Sequence, residues 1–218
     1  MEKKQISWQD IYTANANDKA AYVLYDDVGE DSQFAINSVG NLTVNDHFQF
    51  DFGLNYKSLN SDNHAKIDDL FGAGFHEDLD PFSNTENNLD GNLRKGEEDI
   101  FNYQYKITAT QFDAFAQLKY SFDKWNGFIA ASHLNTDYQR NGLFRNGRFP
   151  DNSIGTSETK SFSNMSFKGG LSYQITGRHW LRINGGYFRR PPVLQNVLTP
   201  IAPNNKVVAN PQNLPALF

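Results

Sequence analysis

The sequence predicts an all-β chain, an antiparallel up-and-down meander of long strands. Short turns fall at one end and long loops at the other, as in part of a transmembrane β-barrel. Three observations carry this. First, the stretch His47–Ser58 alternates strictly. Phe48, Phe50, Phe52, Leu54 and Tyr56 share one parity, and Gln49, Asp51, Asn55 and Lys57 the other. Successive strand side chains point to opposite faces, so one face is greasy and one is wet. A 3.6-residue period would scatter those aromatics around a helix. Second, hydrophobic residues are 39% of the chain and aromatics 14%, with 18 Phe and 10 Tyr. That is lean for a thick core and natural for a sheet apolar on one side with aromatic girdles. Third, tight-turn signals and long polar connections take turns along the chain.

In chain order, residues 1–19 read as a loop or an irregular turn. Ala21–Asp26 reads as a strand, and Asp27–Asp31 as a turn built on Gly29. Gln33–Val44 alternates again, with Phe34, Ile36, Leu42 and Val44 on one face. Asn45–Asp46 then makes a hairpin turn into the opening strand. After Leu59 the alternation stops for over forty residues, with a helical turn expected at Lys66–Leu70. Phe101–Phe122 is a long strand. Tyr103, Tyr105, Ile107 and Ala109 are odd, whereas Phe112, Ala114, Ala116, Leu118, Tyr120 and Phe122 are even, with Phe115 as an exception. That change of parity predicts a β-bulge near Thr110–Gln111.

Asp123–Asn126 is a second turn. Gly127–Gln139 follows, with Phe128, Ala130, Leu134 and Tyr138 on one side and His133, Asn135, Asp137 and Gln139 on the other. Arg140–Lys160 is a loop with a local repeat, RNGLF at 140–144 and RNGRF at 145–149. Phe162–Ile175 sends Phe167, Gly169, Leu171, Tyr173 and Ile175 to one face. Thr176–Arg178 turns the chain back. His179–Arg190 returns, with Leu181, Ile183, Gly185 and Tyr187 opposite Arg182, Asn184, Gly186, Phe188 and Arg190. Pro191-Pro192 ends the ladder.

About seven strands are thus expected, in one partial β-barrel domain spanning residues 1–218, with long loops at 59–102, 140–160 and 191–218. Soluble sandwiches rarely segregate short and long connections to opposite poles, and outer-membrane barrels do. The strands are also long, ~12–14 residues against ~5–6 in ordinary soluble sheets. No apolar run is long enough for a transmembrane helix. The opening MEKKQISWQD has no apolar core, so no signal peptide is read, and no plug domain is visible.

There is no cysteine, which excludes disulfides and thiolate metal sites. Net charge is −5, but residues 61–102 hold 11 acidic and 3 basic residues, and the remainder is net positive. No broad basic face appears, so nucleic acid is not an expected partner. None of the five His lies in a zinc-binding spacing. His76, Glu77, Asp78 and Asp80 offer oxygens to a hard cation, but the EF-hand pattern is absent and no metal site is assigned. Adjacent carboxylates such as Asp68–Asp69 and Glu97–Glu98 are not posed across a substrate, and no nucleophile elbow or phosphate loop occurs. The chain is not expected to be an enzyme or to hold a cofactor.

Four segments, AYVLYDDVGEDSQFAINS at 21–38, residues 54–82, QFDAFAQLKYSFDKWNGFIAASH at 111–133 and residues 140–197, resemble the barrel of a TonB-dependent outer-membrane receptor of the kind common in Bacteroidota. The resemblance implies a fragment of a barrel of about 22 strands. It implies a bacterial outer-membrane location, with outer-membrane lipid as one partner. A TonB-type energy-transducing complex would act through a part not seen here. The ligand would be a scarce nutrient, such as a siderophore–metal complex or an oligosaccharide. The terminal Phe218 invites comparison with the last aromatic of such barrels, but Pro215 interrupts the alternation that an end strand needs. Two other readings stay open: a small closed barrel with an adhesive or structural role, and a soluble β-sandwich binding module.

The candidate ligand contacts on the wet, lumen-facing side are Asp51, Asn55, Lys57, Gln117, His133, Asp137, Arg182 and Arg190. The loop aromatics Phe71, Phe75, Phe82, Phe144 and Phe149 are candidates for stacking on a sugar ring or a siderophore.

Overall fold

The structure is a computed structural model and describes residues 6–198. The 199–218 part of the predicted last loop, and the comparison made for Phe218, lie outside the described residues.

Six long strands form the sheet: β1 (Leu24–Thr43), β2 (Phe48–Asp69), β5 (Ile100–Phe122), β6 (Trp125–Gly142), β8 (Lys160–Thr176) and β9 (His179–Tyr187). Each pairs antiparallel with its neighbour in sequence, in the order β1-β2-β5-β6-β8-β9, an up-and-down meander. Three two-residue strands ornament the loops. β3 (His76–Glu77) pairs with β4 (Arg94–Lys95), and β7 (Gly155–Thr156) pairs with the end of β6. Among the described residues β1 and β9 are open edges, each with one neighbour.

The hairpin turns at Val44–His47, Asp123–Lys124 and Gly177–Arg178 lie at one pole, and the connections 70–99 and 143–159 at the other. The first turn is held by Asn45. Its side-chain oxygen accepts from the amides of His47 (2.9 Å) and Phe48 (3.0 Å).

Four expectations need correction. The Asp27–Asp31 stretch is not a turn, because β1 runs straight through it and pairs rung for rung with β2, Gly29 opposite Asn63. Turn-type residues are tolerated there because the partner strand satisfies their backbone groups. The same pairing makes Lys66–Asp69 strand, so the loop predicted from 59 begins at Leu70, and the two predicted N-terminal strands are one. Residues 8–14 form a helix, α1 (Trp8–Ala14), capped by the Ser7 hydroxyl accepting from the Asp10 amide.

Lastly, there is no bulge at Thr110–Gln111. The β2–β5 register is unbroken from Phe48↔Tyr120 to His64↔Gln104, and shifts only between His64 and Ala65. Tyr105 and Ile107 therefore stay on the polar face and make its upper end apolar.

That upper end is where the core sits. Ala20, Ala65, Ile67, Leu70 and Phe101 form one buried cluster. Tyr105 and Ile107 form a second with Val197 and Leu198, flanked by Tyr138, Phe162 and Leu194. The chain after β9 folds back over this face through the short helix α2 (Leu194–Val197). Tyr138 donates its hydroxyl to the Pro192 carbonyl at 3.3 Å.

Candidate functional site

The register assigns every strand residue to a face. Opposite partners share a face, so the rung Gly40–Phe52–Ala116–Ala131–Phe167–Tyr187 lies on one side across all six strands. On that face Phe34 (60% exposed), Phe52 (45%), Ile129 (66%) and Ile183 (67%) stand open, as do Ile36, Leu42, Leu54, Phe112, Phe167, Leu171 and Leu181. No second layer of described residues covers them. Single exposed apolar residues are ordinary, but a continuous band is not.

The band is oblique to the rungs. Two rungs toward the long loops the row is Ile36–Tyr56–Phe112–Asn135–Ser163, apolar on three strands and polar on the next two. One rung further, only Phe34 of β1 is apolar, beside Ser58, Thr110, Asp137 and Ser161. Toward the turns the reverse holds. Phe122, Trp125, Tyr173 and Leu181 are still on the band where β1 and β2 have already turned. From β1 to β9 the band slides by about one residue per strand. A rise of ~3.3 Å per residue over ~4.8 Å between strands makes that about 35°. Along β5 it spans Phe112 to Phe122, ~33 Å, or ~27 Å once projected at that angle. Its lower rim is aromatic, with Phe48–Tyr120 centroids at 5.2 Å, Trp125–Tyr173 at 4.4 Å and the His47 ring edge-on to Phe122 at 4.8 Å.

The other face is mostly polar along the same span, with Val39, Phe115 and Phe128 among its exceptions. Asp51 is its hub. The carboxylate pairs with Lys119 at 2.7 Å and accepts from Gln117 (3.2 Å), Gln49 (3.1 Å) and Asn41. Asn55 lies between Asn37 and Asp113, and Lys57 between Ala35 and Gln111. Arg182 is opposite Ser172, with its guanidinium 5.9 Å from the Trp180 ring. Arg190 is exposed beyond the end of β9. A recess of about 540 Å³ on this face near the turns is lined in part by Gln49, Lys119, Phe128, Lys168 and Asn184. Lys119 and Lys168 were missing from the candidate contacts, although each shares the parity of the polar residues on its strand. Phe115, the exception in β5, belongs here too, and its ring lies where a Cβ on Gly53 would go.

No family model, curated protein or solved structure matches this chain. The geometry therefore carries the reading alone.

His133 and Asp137 do not share the Asp51 face. They pair with Ala114 and Thr110 and lie on the band face, above the oblique edge. His133 reaches Ser163 there at 2.8 Å. β6 has apolar residues on both parities, and only the register tells which side is which.

The loop aromatics divide. Phe71 is buried, packed on Trp8 and Tyr12 of α1 with centroids at 5.9 and 5.8 Å. Phe75 lies under the Arg94 guanidinium at 4.3 Å. Phe144 and Phe149 are half-buried, near Lys95 and Arg148. Phe82 alone is presented outward, 93% exposed. Its turn is fixed by Asp80, whose carboxylate accepts from the amides of Phe82 and Ser83 and pairs with Arg148 at 3.0 Å across the two loops. Burial pulls the Asp80 carboxyl upward, but those amides, the Ser83 hydroxyl and Arg148 outweigh it and hold it below the usual range. Burial against Phe101 (5.5 Å) pushes the His76 imidazole down, with Asp78 opposing. Among the described residues no group of three or more His, Cys, Asp or Glu is placed to hold a metal ion.

Proposed function

We propose that this chain is a membrane-spanning segment of an outer-membrane TonB-dependent receptor that imports a scarce nutrient, and that it performs no catalysis itself. The observation that carries the reading is the exposed apolar band, tilted about 35° to the rungs and ~27 Å tall. Strands of membrane barrels tilt by ~35–45° around an apolar belt ~25 Å tall with aromatic girdles. A solvent-facing sheet has no reason to keep such a band, and even less reason to slant it by a constant step. The opposite face fits a water-filled interior, since it is polar at band height and centred on the Asp51–Lys119 pair. Segregated connections fit the same reading, with short turns toward the periplasm and long loops outside.

On this reading the sheet is completed by further strands at its two open edges. The polar residues Asp51, Asn55, Lys57, Gln117 and Arg182 line the pathway, and the outward Phe82 stands where a sugar or siderophore ring arrives. Energy comes from a TonB-type complex acting elsewhere in the receptor.

The test is fluorescence in vesicles of lipid brominated along its acyl chains, with Trp8, Trp125 and Trp180 replaced by Phe. Trp placed at Phe52 is expected to be strongly quenched, and Trp placed at Asn55 to be quenched little. Equal quenching at the two sites would overturn the assignment of faces.

A further inference from the structure

The repeat at 140–149 does two different jobs. Its first copy, Arg140-Asn141-Gly142, finishes β6, with Asn141 opposite Lys106 and Gly142 opposite Tyr105. Its second copy, Arg145-Asn146-Gly147-Arg148, leaves the strand and lies against the other long loop. The Gly147 amide donates to the Glu86 carbonyl at 2.9 Å, and the Leu89 amide donates to the Arg145 carbonyl at 2.8 Å. Arg145 pairs with Asp90, and Arg148 with Asp80. Asn146 is buried between them. Its backbone amide donates to the Ser153 hydroxyl at 2.8 Å, and its side-chain amide faces Asn87 at 3.5 Å.

These ties differ in weight. The arginines are largely exposed, and ion pairs in water contribute little. Gly147 matters more. A Cβ there would come within 2.9 Å of the Glu86 carbonyl oxygen and 3.3 Å of the Thr85 Cβ, so the two loops meet backbone to backbone. The contact is also polar inside. Every fully buried residue within 72–99 and 143–159 is polar: Asp78, Asn87, Asn146, Ser153 and Ser157. Asp78 ties this core to the sheet, its carboxylate accepting from the Asn102 amide of β5 at 2.8 Å and from the Asn87 side chain at 2.9 Å. Apolar surfaces can slide on one another, whereas a buried hydrogen-bonded network fits one way.

We propose that the second copy is a clasp that makes the connections 70–99 and 143–159 one body and holds the Phe82 tip from outside its own loop. Asp80 fixes the Phe82 turn, and Asp80 is the residue that Arg148 grips from 68 residues away. A load on Phe82 therefore reaches the connection between β6 and β8. The clasp does not depend on the membrane reading; the use of Phe82 as a ligand contact does.

The chain has no cysteine, so Phe82→Cys and Asp151→Cys accept nitroxide labels at those two exposed positions alone. Pulsed electron spin resonance on the full-length protein in vesicles reads the distance between them. With the clasp intact, one narrow distance is expected. Gly147→Val is expected to broaden the distribution at least twofold. Arg148→Ala is expected to broaden it less, with Arg148→Lys restoring most of the width, and Asn92→Ala, exposed and outside the clasp, to leave it unchanged. Strand content by circular dichroism is expected to stay the same throughout.

A broad distribution before any clasp residue is changed would overturn the proposal, because the loops would then move independently. So would a Gly147→Val distribution as narrow as the starting one. If Gly147→Val loses strand content, the double change Arg145→Ala with Arg148→Ala, which adds no atoms, must broaden the distance for the clasp to stand. If that variant loses strand content as well, the repeat serves the sheet and the clasp fails. A narrow, clasp-dependent distance alongside an unquenched Trp at position 52 would leave the clasp standing and sink the membrane reading.

Discussion

His133 marks the limit of reading faces by parity. Alternation over His47–Ser58 is strict, so Asp51 and Asn55 are legible as one side of the sheet from their neighbours alone. In β6, Phe128 and Ala130 look as apolar as Ile129 and Ala131, and only pairing with β5 separates them. Asp51 itself was legible, but its partners were not, since Lys119 and Gln117 come from a strand over fifty residues away. Removing that carboxylate leaves several donors without their acceptor. Asp51→Ala is expected to lower the urea midpoint of unfolding from vesicles, and Asp51→Asn to lower it less, because the amide oxygen still accepts. His76 adds a pH effect in the loops. Its folded pKa lies below the ordinary value because the neutral ring is buried, so the unfolded loop binds the proton more readily. Its contribution is complete above about pH 6.5 and is lost as pH falls below that. Hydrogen-exchange protection in residues 76–102, corrected for the slower intrinsic exchange at low pH, is expected to fall from pH 7 to pH 5, and His76→Phe to flatten that dependence.

β5 shows why strand ends were harder to read than strand centres. Near the turns its apolar residues keep one parity, except Phe115, whose ring covers Gly53 on the polar face. Near the loops, Tyr105 and Ile107 on the other parity are buried by Val197 and Leu198. A switch in parity has two physical causes, a bulge in the strand or a partner arriving on the opposite face. The sequence around Thr110 does not distinguish them, because the arriving segment lies ninety residues on. The same lack of tertiary information hid the start of β1. Asp27, Gly29 and Asp31 favour a turn in isolation, and the ladder to β2 overrides them. If Val197 and Leu198 anchor the returning chain, a charge there must release it without harming the sheet. Leu198→Asp is expected to open the stretch after Arg190 to limited proteolysis, while the strand content by circular dichroism stays within error. A loss of strand content would mean that the segment holds the sheet together.

The slant of the apolar band joins these levels. The apolar windows of four strands were legible in the sequence: Phe34 to Leu42 in β1, Phe48 to Tyr56 in β2, Phe112 to Phe122 in β5 and Leu181 to Tyr187 in β9. What could not be read was how the windows line up, because register is a property of pairs of strands. In register, the windows descend together from β1 to β9, and the descent fixes an angle. On the proposed membrane reading, a flat hydrocarbon boundary and rungs square to the strands turn a step of one residue per strand into strands inclined by about 35° to the bilayer normal. That angle follows from residue identity and pairing alone, and it can be measured independently. Polarised infrared dichroism of the amide bands, on the full-length protein in oriented bilayers, is expected to give a mean strand tilt of about 35–45°. Strands lying parallel to the normal, or flat on the surface, would mean that the band does not follow the edge of the hydrocarbon, and its slant would then need another cause.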